Sequence, residues 1–227
     1  MNWARLRHAP WLDTRAGFVA GTPRGGSLLD LGSSDGETLG HFAELRPDLK
    51  FFAADLAGQP ERYPAGCEFH RANLETESLP WPDGSLDAIT CMHLVEHLQT
   101  LDRLLGEVAR LLRPGGRAYF ETPHPRSLTV PGQSADAPIQ FTLNFNDDPT
   151  HVRLVPMEKL ALQLRALGLR PGQQGISRNW LFAAAWPWYR FQPASRKKFT
   201  AQVHWLGWSA FLIVRRPAQN RNAPQIR

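Results

Sequence analysis

The 227-residue sequence has little cysteine and no long apolar run. Its two cysteines, Cys67 and Cys91, are too few for a disulfide framework, and no Cys-x-x-Cys pair is present to bind zinc or an iron–sulfur cluster. No apolar stretch reaches the ~18 residues of a membrane-spanning helix, and the N-terminus lacks the core of a signal peptide. These absences predict a cytoplasmic protein, and the length of the chain fits one domain.

Acidic residues are missing from the C-terminal part of the chain. No Asp or Glu follows Glu158, whereas 12 Lys or Arg residues do, and the formal net charge is +5. This asymmetry predicts either a surface for an anionic or amphipathic partner or simply a basic, solvated end. Residues 217–227 are expected to form a flexible tail.

The most informative stretch is a strand, a turn and a helix near the N-terminus. The apolar run from Leu28 to Leu31 predicts a buried strand, and the small residues from Gly32 to Gly36 predict a tight turn. A helix is expected from Thr38 until Pro47. Such a turn leaves backbone N–H groups free, so a polar ligand could approach closely.

The turn lacks the features of a phosphate-binding loop. It has neither a Gly-x-Gly-x-x-Gly spacing nor a Gly-Lys-Ser/Thr ending, and no Lys stands in it. Instead Asp30 precedes the turn, near the carboxyl end of the strand where open α/β sheets bind ligands, and Asp35 lies within it. Two acids suit a ligand with cationic groups better than a pyrophosphate, although an ordinary strand–helix turn is the alternative.

The spacing of this turn resembles the first motif of the class I S-adenosylmethionine-dependent methyltransferases. Asp30, Gly32, Ser34 and Gly36 match its acid, glycine, small residue and glycine, with Ser34 where glycine is common. The resemblance implies an α/β, Rossmann-like, doubly wound and mostly parallel seven-stranded sheet with an antiparallel last strand. It also implies S-adenosyl-L-methionine as cofactor. A single domain is expected over residues 1–216, with insertions at about 122–155 and 180–206.

The resemblance implies further cofactor contacts. Asp55 ends the second apolar run and would bind the ribose, with Leu56 beside it. Asn73 stands where the family often has an acid, and its amide could bond the adenine edge while Leu74 packs on the ring. The alternatives are a loop aspartate for Asp55 and a turn asparagine for Asn73.

The fourth apolar run, Leu86 to Cys91, leads into a Val-Glu-His-Leu sequence that is typical of the family. Its carboxyl end should face the sulfonium of the cofactor, which makes Cys91, Met92 and His93 pocket candidates. His93 and His97 are four residues apart and could share one helix face. No third ligand is evident, so no metal site is predicted.

His124 is the first candidate for a catalytic base, with His93 the second. It stands between Pro123 and Pro125, whose rings fix the backbone and predict a rigid turn after the fifth strand. The alternative is a solvent-exposed loop histidine.

Aromatic and basic residues dominate residues 180–198, and five of the eight tryptophans fall between Trp180 and Trp208. Three interpretations are open. The segment could contact a membrane or a lipid-linked substrate, it could bind nucleic acid, or its rings could line a lid over the acceptor pocket. No RNA-binding module is recognisable, which disfavours nucleic acid.

The resulting functional hypothesis is methyl transfer from S-adenosyl-L-methionine to O, N or C of a small, lipid-linked or saccharide-linked acceptor. Two alternatives stay open. One is a catalytically silent regulatory protein that binds the cofactor, and the other is an RNA methyltransferase that uses the basic aromatic part. A nicotinamide-linked reductase is disfavoured by the missing third glycine.

Overall fold

A computed structural model describes residues 3–132 and 143–218. The strands are β1 (Ser27–Leu31), β2 (Lys50–Asp55), β3 (Glu68–Arg71), β4 (Leu86–Met92), β5 (Leu112–Pro123), β6 (Arg170–Ser177) and β7 (Ser209–Arg215). The helices are α1 (Trp3–Leu6), α2 (Thr14–Ala20), α3 (Glu37–Leu45), α4 (Asp102–Leu111), α5 (Met157–Ala166), α6 (Trp180–Tyr189) and α7 (Arg196–Leu206). Short 3-10 turns lie between them, including Val95–His97 and Pro125–Leu128.

The seven strands form one sheet in the order β3-β2-β1-β4-β5-β7-β6. β1 to β5 pair in parallel, and β7 runs antiparallel to both β5 and β6. The predicted Rossmann-like sheet with an antiparallel last strand is therefore confirmed. The carboxyl ends of β1, β2, β4 and β5 lie at one edge, and the antiparallel β7 begins at that same edge, where Ser209 pairs with Pro123.

Helices cover both faces of the sheet because each presents an apolar stripe to it. On one face α4 buries Leu104, Leu105, Val108 and Leu111, as its spacing predicts. The other face is covered by α1, α2 and α3, whose buried residues include Phe18 and Phe42. These two layers leave the carboxyl edge of the central strands as the place for a ligand.

The segment after β4 differs from the prediction. His93 has a φ of +50°, and a 3-10 turn at Val95–His97 replaces the expected helix. The prediction that His93 and His97 share a helix face is therefore wrong. After the left-handed backbone conformation at His93, the 3-10 turn spans three residues, and α4 begins at Asp102.

The two predicted insertions stay predictions, and the structure describes them to different extents. Residues 180–206 form the helical hairpin of α6 and α7 between β6 and β7. The 122–155 segment includes residues 133–142, and the expected tail includes residues 219–227, all of which lie outside the described residues. Of the helices in the described ranges, none has the length and hydropathy to cross a bilayer.

Candidate functional site

The turn after β1 contains backbone conformations that favour glycine. Gly32 has a φ of +76°, and a Cβ added there would lie 3.2 Å from the side chain of Leu94. Ser34, the departure from the family motif, also has a positive φ of 46°. Gly32 therefore lets the turn pack closely against Leu94, where a larger residue would press on that side chain. The close approach of a polar ligand to this turn stays a prediction.

Asp55 at the end of β2 holds the turn in place. Its Oδ2 accepts the N–H of Ser34 at 2.9 Å, and its Oδ1 accepts the N–H of Ala57 at 2.7 Å. Each carboxylate oxygen can accept a second hydrogen bond, so the group can still receive ribose hydroxyls. Leu56 beside it is 60% exposed, which places it at the open edge of the sheet.

Tyr63 braces the same turn and was missed by the sequence analysis. Its hydroxyl donates to the carbonyl of Ser34 at 3.0 Å and lies 2.8 Å from Oγ of Ser33. A Cβ at Gly36, whose φ is +77°, would lie 2.2 Å from the tyrosine ring. Gly36 is thus required by packing as well as by its backbone conformation. No local pattern marked Tyr63, because it stands alone in a loop.

Asp30 is an almost fully buried acid, with 3% of its surface exposed. The hydroxyl of Thr90 donates to its Oδ1 at 2.6 Å. Burial raises the pKa of Asp30 to about 7, although the hydrogen bond from Thr90 and the charge of Arg15 act in the opposite direction. The carboxyl group therefore changes its charge near neutral pH, and a cation placed beside it would favour ionisation.

The residues predicted at the adenine already have structural roles. Oδ1 of Asn73 accepts the N–H of Glu75 at 3.0 Å, which closes a turn after β3. Leu74 is 7% exposed and belongs to the core. The amide group of Asn73 still has its NH₂ to offer, so the adenine contact stays a prediction.

Cys91 and Met92 occupy the end of β4 beside β1, where Cys91 pairs with Leu31. Cys91 is 1% exposed, and burial raises the pKa of its thiol well above the usual range. Met92 is half-buried and packs toward the α3 side of the sheet. Cys91 is consequently a neutral packing residue, and Met92 is the more accessible of the two.

A network of buried charged side chains lies near the carboxyl ends of β4 and β5, and we call it the β4–β5 network. Glu121 of β5 has no exposed surface, and Arg15 of α2 donates to both of its oxygens, through Nε at 3.0 Å and through Nη2. The hydroxyl of Tyr119 donates to Oε2 of Glu121 at 2.5 Å. Burial alone would raise the pKa of Glu121, but Arg15 and His93 hold it well below its usual range.

His93 joins Glu121 to a second buried acid. Its Nε2 lies 3.2 Å from Oε1 of Glu121, and its Nδ1 lies 3.1 Å from Oε1 of Glu96. Burial lowers the pKa of His93, but hydrogen bonds to Glu121 and Glu96 outweigh that and raise it to about 9. His93 is therefore a cation at neutral pH with both ring nitrogens engaged. This state suits charge stabilisation better than the base role predicted for it.

Glu96 completes the β4–β5 network by accepting the hydroxyl of Thr122 at 3.1 Å. The sequence analysis gave no role to Arg15, Glu121 or Glu96. An acid ending an apolar strand, the signal that marked Asp55, could have identified Glu121. No such signal existed for Arg15, because 106 residues separate it from its partner.

His124 lies in a different place. Its Nδ1 accepts the N–H of Arg126 at 3.1 Å, and its ring lines a cavity of about 270 Å³ with Met157, Gln174 and Ile176 among others. None of the predicted cofactor residues lines that cavity. Burial and the charge of Arg126 lower the pKa of His124, so the ring is neutral at physiological pH. Its catalytic role stays a prediction.

A larger cavity, of about 480 Å³, opens beside Arg15. We call it the Arg15 cavity; it is walled by residues of α1, α2, α3 and the α6–α7 hairpin, namely Trp3, Asp13, Arg15, Glu37, Thr38, His41, Asn179, Phe182, Arg196, Lys197, Thr200 and His204. Glu37 and Thr38 begin the helix that follows the glycine turn. The Arg15 cavity therefore adjoins both the turn and the β4–β5 network.

In the structure, His97 lies in a cluster of three groups that could bind a metal ion. Glu96, His97 and His151 each place one possible ligand atom within 4.8 Å of the others. Each also has a partner within the protein: Nδ1 of His151 lies 2.7 Å from the carbonyl of Phe145, and Nδ1 of His97 lies 2.9 Å from Oγ1 of Thr150. These contacts account for the cluster as loop packing, and the absence of a metal site stays a prediction.

Comparison with known proteins identifies the family. Residues 3–174 match the family model described as a methyltransferase domain. A malonyl-[acyl-carrier protein] O-methyltransferase of Methylococcus capsulatus is 29% identical over 62% of this chain and 50% of its own length. A ubiquinone/menaquinone biosynthesis C-methyltransferase of Hahella chejuensis is 31% identical over 43% of each chain. The chain thus spans half or less of the length of these curated relatives.

A solved structure has the same fold over nearly the whole chain. The S-adenosylmethionine-dependent methyltransferase of Mesorhizobium loti superposes with a TM-score of 0.62 at 20% identity, covering 92% of this chain and 98% of the other. The predicted family, fold and enzyme class are confirmed by these matches. The chain belongs to the methyltransferase-domain family and has the fold of the class I S-adenosylmethionine-dependent methyltransferases.

Proposed function

We propose that the chain transfers a methyl group from S-adenosyl-L-methionine to an acceptor bound in the Arg15 cavity. The observation that carries the proposal is the position of that cavity. It adjoins the start of α3 behind the glycine turn, and it also contains the arginine that anchors the β4–β5 network. A donor on the turn and an acceptor in the cavity would meet at one edge of the sheet.

The cofactor site we propose uses the strand ends. Asp55 would accept the ribose hydroxyls, and the bare backbone at Gly32 would allow close approach. Asp30 would face a cationic part of the ligand, because its carboxyl group is ready to ionise. When bound, the cofactor supplies an activated methyl group on its sulfonium, so the protein mainly has to align the acceptor with it.

The β4–β5 network favours an acceptor that arrives as an anion. His93 is protonated and has no free ring nitrogen, so it does not abstract a proton at neutral pH. Arg15 bonds Glu121 through Nε and Nη2, which leaves Nη1 for another acceptor atom. Lys197 adds positive charge to the cavity wall, where Arg196 is paired with Glu37. A carboxylate or another acidic group would need no base and would be held by these cations.

Two alternative functions would use the same cofactor site. A catalytically silent regulatory protein would bind the cofactor without transferring its methyl group. An RNA methyltransferase would use the basic residues of α7 to hold the phosphate backbone. We favour a small or lipid-linked acceptor over RNA because the Arg15 cavity is closed on several sides by helices, which suits a compact group.

The test combines binding with transfer of label. Calorimetry with S-adenosyl-L-methionine and with its demethylated product measures binding, and methyl-labelled cofactor follows transfer to carboxylic acids, to extracted lipids and to transfer RNA. We expect binding to both cofactor forms and label in the acid or lipid fraction. His93→Gln should lower transfer while exposed His8→Gln leaves it unchanged.

Each contrary result has its own meaning. Absence of cofactor binding would refute the proposal as a whole. Binding with no transfer to any fraction would support the silent alternative, and label confined to RNA would support the other one.

A further inference from the structure

α6 is an apolar helix that the rest of the described structure barely covers. Among its ten residues only Ala183 is buried. Trp180 is 56% exposed, Leu181 49% and Trp188 70%, and Phe191, just beyond the helix, is 77% exposed. Exposed tryptophan and phenylalanine side chains in one segment are unusual for a surface that only meets water.

These side chains lie on one side of α6. Trp180, Ala184 and Trp188 are four residues apart, and Phe191 follows at a spacing of three. Other residues of the helix face α7, where the ring of Phe182 lies 6.2 Å from that of His204. We call the exposed side the aromatic face; its members are Trp180, Leu181, Ala184, Pro187, Trp188 and Phe191.

Positive charges surround the aromatic face. The guanidinium of Arg178 lies 5.6 Å from the ring of Trp180, and that of Arg190 lies 4.7 Å from the ring of Phe191. Lys197 is exposed at the start of α7, next to Arg196, whose charge is offset by an ion pair with Glu37. The sequence from Lys159 onward contains no acidic residue of its own.

We propose that the aromatic face docks on the surface of an anionic lipid bilayer. Tryptophan and phenylalanine rings settle among lipid headgroups and upper acyl chains, and neighbouring Arg and Lys residues are drawn to anionic headgroups. The face needs no deep insertion, because its rings project from a short helix that lies along the protein surface. The exposed apolar area of the aromatic face and the positive charges beside it both fit an anionic bilayer.

Two other partners fit less well. A second copy of this chain, docked through the same face, would bring two sets of Arg and Lys together with no acidic side chains between them. RNA would supply phosphates for the cations, but the face itself consists of Trp, Leu, Ala, Pro and Phe side chains. Apart from the indole N–H groups these offer no hydrogen bonds to bases.

Docking would place the methyl-transfer site beside the bilayer. The α6–α7 hairpin that carries the aromatic face also walls the Arg15 cavity, through Phe182, Lys197 and Thr200 among others. An amphipathic acceptor with an acidic head could then enter the cavity while its apolar part stays in the membrane. This second step rests on the proposed function, whereas docking itself does not.

The experiment is flotation of the full chain with vesicles. One set contains phosphatidylcholine alone, and the other contains phosphatidylcholine with phosphatidylglycerol. We expect flotation with the anionic vesicles and weaker flotation as salt rises. The double variant Trp188→Ser with Phe191→Ser should weaken binding by roughly tenfold or more, because the most exposed rings are lost.

A matched leucine pair provides the control. Leu181 belongs to the aromatic face, and Leu162 is 65% exposed on α5. Leu181→Ser should reduce flotation and Leu162→Ser should not. Absence of flotation with anionic vesicles, or an equal loss in both leucine variants, would overturn the proposal.

Further measurements separate the other partners and the proposed function. Sedimentation velocity that shows a dimer lost in the double variant, without vesicle binding, would assign the face to a second copy. Retention of an RNA oligonucleotide in place of vesicles would assign it to nucleic acid. Calorimetry with S-adenosyl-L-methionine on the same variants should be unchanged, so a failure of docking would leave the cofactor site standing.

Discussion

Arg15 and Glu121 form a two-pronged ion pair between α2 and the end of β5, although 106 residues separate them in the chain. Glu121 has no exposed surface, and the side chain of Arg15 is 27% exposed. The pair fixes α2 over the carboxyl edge of the sheet, where the cofactor and acceptor sites are proposed. It is thus a contact on which both the stability and the site geometry depend.

Glu121→Gln should destabilise the protein by about 3–5 kcal/mol, because it leaves the Arg15 cation next to the buried end of β5 without its counter-ion. The free energy of unfolding in urea measures this loss. Asp83→Asn is the control, since it breaks the pair of Arg110 with an Asp83 side chain that is 77% exposed. Equal effects of the two substitutions would show that the Arg15–Glu121 pair contributes no more than a surface contact.

Gly32→Ala should weaken cofactor binding more than it weakens the fold. Its φ of +76° strains any side chain by about 1–2 kcal/mol, and the new Cβ would press on Leu94. Gly66→Ala is matched to it, with a φ of +77° and nothing within 4 Å. Both variants should melt earlier, but calorimetry should show lost affinity for Gly32→Ala alone. Unchanged affinity there would mean that the ligand does not approach this turn.

Asp55→Asn should weaken cofactor binding by about 1–3 kcal/mol, because the ribose loses a charged hydrogen-bond acceptor. The substitution also alters the contact with the N–H of Ser34, so the melting temperature has to be recorded alongside. Glu61→Gln on the exposed turn nearby is the control. An affinity equal to that of the unmodified chain would remove Asp55 from the site.

Cofactor binding at neutral pH should release a proton from Asp30. Its pKa of about 7 in the folded chain means that the carboxyl group is partly protonated, and the positive charge of the ligand would favour the ionised form. The binding enthalpy should therefore differ between buffers of high and low ionisation enthalpy. Asp30→Asn should abolish the difference, and a binding enthalpy that is independent of buffer in the unmodified chain would contradict the assignment.

The stability of the fold should fall as the pH rises from about 6.5 to about 9. His93 has an ordinary pKa of 6.5 and a folded pKa of about 9, so its charge stabilises the folded state fully below the first value and no longer above the second. Glu96 faces the ring from the turn after β4 and Glu121 faces it from β5, and Arg15 lies behind Glu121. His93→Gln should flatten the melting temperature across this interval. The same slope in both proteins would exclude His93 as its source.

Local spacing in the amino-acid sequence was enough to predict most of the strands and helices. The apolar runs, the bend from Gly32 to Gly36 and the stripe of leucines in α4 were sufficient to predict strands, a tight turn and a packing helix, because each depends on neighbours a few residues away. The positions of the acids near the ends of β1 and β2 were predicted for the same reason. The family resemblance then supplied the sheet and the cofactor.

The β4–β5 network depends on contacts between distant parts of the chain. Arg15, the His93–Glu96 segment and Glu121 come from three separate parts of the chain and meet at the edge where the parallel strands end, an arrangement that no local pattern encodes. Tertiary packing also replaces the expected helix after β4 by a bend at His93. It places His124 at a cavity that none of the predicted cofactor residues lines. Hydrogen bonds to two acids then gave His93 its charge in spite of burial, because the pKa of a side chain depends on what surrounds it in space.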